Sequence, residues 1–152
     1  MKRCELARDY FKQGYACSQA LALAFIDLTD LSEEQISKLT LPLGGGLGRQ
    51  RLTCGAINSM AMIVGFIFSK NENSHENKLY VYEIVQELSN RFIKEYNTLN
   101  CAELLKNANL EVEIGGKPEE RTSGYYDRRP CEKIVYACAN ILEEYLKEKN
   151  IL

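Results

Sequence analysis

Apolar positions recur along most of this chain at helical spacing, and short polar or glycine-rich breaks divide them into segments. The first covers about Lys2 to Gln13 and stops at Gly14, a residue suited to a left-handed helix end. A second starts at Cys17, carries Ala20, Leu21, Ala24 and Leu28 on one stripe, and fades at Thr29 and Asp30. Ser32 caps a short third helix, with Glu33, Glu34 and Gln35 in a first turn that favours negative charge, and it ends before Pro42.

Gly44, Gly45, Gly46 and Gly48 make the next stretch a loop, and Thr53 is placed to cap the helix that follows, Cys54 to about Ser69. After Ser59 that helix is apolar on nearly all sides, the pattern of a buried central helix. The polar run 71–74 breaks it. A long amphipathic helix then aligns Val81, Ile84, Val85, Leu88, Phe92 and Tyr96, and 97–100 turn. Asn100 caps a short helix from Cys101 through Leu104 and Leu105 to near Asn109. Residues 110–130 are irregular, with room for a brief extended piece at 111–114. Pro130 suits the first turn of a last helix that buries Ile134, Cys138, Ile141, Leu142 and Tyr145. The pattern predicts an all-α, single-domain bundle of six or seven helices spanning residues 1–152.

Composition narrows the setting. A chain of 152 residues can bury a core without disulfide staples, and a net charge of -2 offers no footprint for nucleic acid. The first ten residues hold Lys2, Arg3, Glu5, Arg8 and Asp9 and no apolar signal region, so a cytoplasmic protein is expected. The most apolar run, Met60 to Phe68, falls far short of the roughly 20 residues of a membrane-spanning helix. In a reducing compartment six cysteines point to metal, redox chemistry or packing rather than to a disulfide framework.

Four of the six, Cys17, Cys54, Cys101 and Cys131, fall where helices begin. Unpaired N–H groups and the positive end of the helix dipole push a thiol held there toward thiolate, the form that reacts or ligates metal. Each of the four opens an apolar stripe, so each sulfur is expected to face inward. An up-and-down path brings alternate helix starts to one end of a bundle, which lets the four meet. Arg49, Arg51, Arg121, Arg128 and Arg129, five of the eight arginines, lie just before Cys54 or Cys131, and nearby cations lower a thiol pKa further. Cys138 sits mid-stripe and reads as core; Cys4, in the first turn, has no assigned role.

These residues resemble a known family. Gly14 to Ala20 around Cys17, the glycine-rich loop leading into Cys54-Gly55-Ala56, Asn100-Cys101 with Leu104-Leu105, and Cys131 with Ile134-Val135 are similar, in order and spacing, to the C_GCAxxG_C_C family, to which a redox role is assigned. One position departs: where the Cys-Gly-Ala motif continues, after two residues, to a glycine, this chain has Ser59. The resemblance implies a redox function at Cys17, Cys54, Cys101 and Cys131.

Three functions stay open for those sulfurs. They can ligate an iron–sulfur cluster for electron transfer, cycle as a thiol–disulfide pair in an oxidoreductase, or hold a structural zinc. Spacings of 37, 47 and 30 residues match no local ferredoxin or zinc pattern, so any site must be assembled from separate helices. A redox partner of unknown identity is implied, and a homodimer is left open. Other motifs fail their context: the glycine run has no preceding strand and no following Gly-Lys-Ser/Thr, and the lone His75 lies in a polar loop. The acid pairs 33–34, 119–120 and 143–144 read as exposed. Tyr125 and Tyr126 are candidates to line a site beside Cys131.

Overall fold

The computed structural model describes residues 1–152 and contains eight α-helices and no strand: α1 (Arg3–Lys12), α2 (Cys17–Leu23), α3 (Glu33–Thr40), α4 (Gly55–Phe68), α5 (His75–Tyr96), α6 (Cys101–Asn107), α7 (Ser123–Arg128) and α8 (Cys131–Glu148). The all-α class is as expected, with one helix more than the pattern predicted. The extra element is α7, inside the stretch read as irregular. Thr122 accepts the Tyr125 N–H with its side chain and starts the turn, and 111–114 form no strand.

The centre of the bundle is α2, not α4. Every residue from Ser18 to Phe25 is buried, and α2 packs against α1, α3, α4 and α8. Ala20, Ala22 and Ala24 carry so little side chain that neighbours close in on all faces. By contrast the last turns of α4 reach the surface, with Phe66 42% exposed. α2 is also shorter than its stripe: it ends at Leu23 and gives way to a 3-10 turn at Ile26–Leu28. Arg3 stabilises that ending, donating from Nη1 to the freed carbonyl of Ala24 and pairing both nitrogens with Asp27 at 2.6 and 2.8 Å.

Long helices α5 and α8 cover the other side of the core. Ile84, Leu88 and Phe92 of α5 are buried, as are Ile134, Cys138, Ile141, Leu142 and Tyr145 of α8. Ser32 and Asn100 cap α3 and α6 as their types predict, and Ser74 caps α5. Glu143, expected at the surface, is buried on α8, where it accepts the Arg3 N–H. No helix is long and apolar enough to cross a membrane.

Candidate four-cysteine site

Backbone pairing sets the positions of the two middle cysteines. Thr53 does not cap α4; it pairs with Asn100 in an antiparallel bridge, and Cys54 itself is the N-cap residue. Around that bridge the Cys54 N–H donates to Leu99 O at 2.8 Å and the Cys101 N–H to Leu52 O at 2.6 Å. The short strap thereby fixes the starts of α4 and α6 side by side. Cys17 and Cys131 are the first residues of α2 and α8.

Two glycines make room for Cys17 and Cys101. A methyl group on Gly55 would stand 2.7 Å from Cys17 Sγ, so the start of α4 lies directly against the start of α2. At Gly46, held at φ 69°, a methyl group would meet Cys101 Cβ at 2.7 Å. Gly46 belongs to a run of five residues, 45–49, that all have positive φ, including Leu47 and Arg49, and Arg51 follows at 61°. Left-handed backbone costs a non-glycine residue about 1–2 kcal/mol, so this loop keeps its shape only because its contacts hold it.

All four sulfurs line a single cavity of about 450 Å³. Cys54 is buried, while Cys17, Cys101 and Cys131 keep part of their surface on the cavity wall. Cys4 and Cys138 are outside the wall and fully buried in the core. No three Cys, His, Asp or Glu side chains close on one point tightly enough to hold a single ion.

Burial reverses the expected charge state. The thiols of Cys17, Cys54 and Cys131 are all pushed up, Cys131 to about 12, because the surrounding protein desolvates the thiolate and each sulfur would repel its neighbours. The helix-start effect exists but loses: the Ala56 and Ile57 amides pull Cys54 down, and the loop amide of Gly45 with the Ser18 amide pulls Cys17 down, by less than burial raises them. The expectation of low-pKa thiolates is thus corrected for Cys17, Cys54 and Cys131. Cys17 is the hub, since its charge would act on Cys54, Cys131 and Cys138 and it feels Cys101.

Four of the five flagged arginines, Arg49, Arg51, Arg121 and Arg129, also line the cavity; Arg128 does not, and pairs with Glu119 at 2.9 Å. They act as clamps as well as charges. Arg49 Nη1 donates to Gly115 O, Arg51 Nε to Glu113 O at 2.9 Å, and Arg121 to Phe11 O and Tyr15 O. Together they pin the segment between α6 and α7, which supplies Gly116, Pro118 and Glu119 to the cavity lining. Tyr125 stands in the wall between the Arg121 and Arg129 guanidiniums, its hydroxyl raised to about 12, chiefly by burial. Glu119, expected to be exposed, is the cavity's one carboxylate and pairs with Arg129 at 3.3 Å.

Residues 15–145 match the family described as "Putative redox-active protein (C_GCAxxG_C_C)". The chain belongs to this family. The matched span takes in the four cavity cysteines and Cys138 and leaves out Cys4 and all of α1. No curated protein and no solved structure matches the chain. The family's pattern also gives Ser59 a physical setting: its side chain is wholly buried and its hydroxyl has no hydrogen-bond partner, as expected where a polar atom replaces a glycine.

Proposed function

We propose that Cys17, Cys54, Cys101 and Cys131 hold one redox centre, an iron–sulfur cluster, and that the protein passes electrons through it to a redox partner. The observation that carries this reading is the sorting of the six cysteines: four from four separate helix starts line one cavity, and the other two do not. Four thiols are a complete donor set for such a cluster, and a cavity of about 450 Å³ has room for a multinuclear group. When bound, the cluster would supply one-electron transfer. The chain's part is to give up the thiol protons on loading and to surround the sulfurs with N–H groups and guanidiniums that favour negative charge.

A metal-free reading keeps one observation in its favour, the placing of the half-buried Cys17, Cys101 and Cys131 on a shared wall. There, two thiols would give two electrons and two protons to an oxidised partner and form a disulfide. Purification without oxygen separates the two. A brown protein with iron and acid-labile sulfide supports the cluster; a colourless, iron-free protein in which two of the four thiols form a reversible disulfide refutes it in favour of thiol–disulfide exchange.

A further inference from the structure

The cavity carries more positive charge than the protein neutralises. Arg129 has Glu119, and Arg49 has the exposed Glu113 at 3.5 Å, but no carboxylate pairs with Arg51 or Arg121. Arg51 is only 6% exposed; its Nε is used by a backbone carbonyl, and its Nη1 lies 3.7 Å from Cys101 Sγ. Arg121 has carbonyl oxygens, the Tyr126 hydroxyl and aromatic rings as partners. Burying a guanidinium without a counter-charge is costly, and planar guanidinium forks match the oxygens of carboxylate and phosphate.

We propose that this cavity binds a small molecule through an oxyanionic group, carboxylate or phosphate, seated at Arg51 and Arg121 beside the thiols. Room for the rest of that molecule exists: about 450 Å³ exceeds an inorganic anion, and Leu104, Leu105, Ile134 and Tyr125 give an apolar wall. The inference rests on the redox reading above only in calling the neighbouring thiols a redox site. The anion site itself is tested without any metal.

Calorimetric titration of reduced, metal-free protein with phosphate and with acetate, at constant ionic strength set by chloride, reads the site directly. Saturable binding of either is expected; tighter phosphate assigns a phosphate-bearing ligand and tighter acetate a carboxylate. Arg51→Gln should weaken it about tenfold or more, the loss of charge-assisted bonds, while Arg91→Gln on the far surface of α5 should not. No saturable binding, equal binding by a folded Arg51→Gln, or equal loss in Arg91→Gln overturns the proposal. Should Arg51→Gln fail to fold, the wild-type protein decides: phosphate or acetate, but not chloride, should slow N-ethylmaleimide labelling of Cys101, and unchanged labelling overturns the site. A colourless protein that still binds anions would defeat the cluster and leave this inference standing.

Discussion

Replacing Gly55 with alanine tests whether α2 and α4 meet as closely as the site requires. Elsewhere in a helix the change is favourable by about 0.5–1 kcal/mol, because alanine loses less backbone freedom on folding. Here the new methyl carbon would stand 2.7 Å from Cys17 Sγ, 2.8 Å from Leu43 O and 3.1 Å from Gly44 Cα. Two of those atoms are backbone, so no rotamer change relieves the clash, and overpacking of this kind costs about 1–3 kcal/mol or more. Gly65, ten residues on in the same helix, has open space where its methyl would go. The expected result is therefore opposite signs: Gly55→Ala lowers the urea midpoint and Gly65→Ala raises it, at unchanged slope, with a gap of about 2 kcal/mol. Gly55→Ala should also change the alkylation rate of Cys17. A Gly55→Ala protein as stable as wild type, with Cys17 unaltered, would refute the close approach on which the cavity depends.

Two further outcomes follow from burial. The buried thiols make the reduced, metal-free protein labile to alkali: with folded values above the ordinary 9.0 and Cys131 near 12, the fold holds protons that the unfolded chain releases, so stability falls as pH rises from about 9 toward 12. Each such thiol contributes about 1.4 kcal/mol per pH unit in that window, and urea midpoints at pH about 8 and about 10.5 measure it. Thiolates stabilised at helix starts would instead make the protein no weaker over that interval. Ser59→Ala should raise the melting temperature, since it removes a buried hydroxyl without a partner, worth about 1–3 kcal/mol; a lower melting temperature would mean that the hydroxyl is satisfied.

Caps and cysteines were legible because they are local. Ser32 and Asn100 bond their own helices, and the start of a helix at Cys17 or Cys101 needs only a neighbouring break in the pattern. What required the third dimension was hidden. The pattern from Cys17 to Leu28 continues past the true end of α2 because apolar residues persist there, and the stop depends on Arg3, distant in sequence. α7 is six residues long and contains Gly124; its buried Tyr125 is held by Arg121 and Arg129, contacts no periodicity reveals. The thiol charge state failed for the same reason: a helix start is readable, but the desolvation that outweighs it is a property of the packed cavity. Arg51 gave one usable signal, its place between a glycine run and a cysteine, but not its burial.

The central claim is that four particular cysteines share one centre, and single serine substitutions at all six test it most directly. After purification without oxygen, iron content and visible absorption should be lost in Cys17→Ser, Cys54→Ser, Cys101→Ser and Cys131→Ser, and kept in Cys4→Ser and Cys138→Ser. Equal loss in folded Cys138→Ser or Cys4→Ser, or an intact centre in any of the four cavity variants, would contradict it.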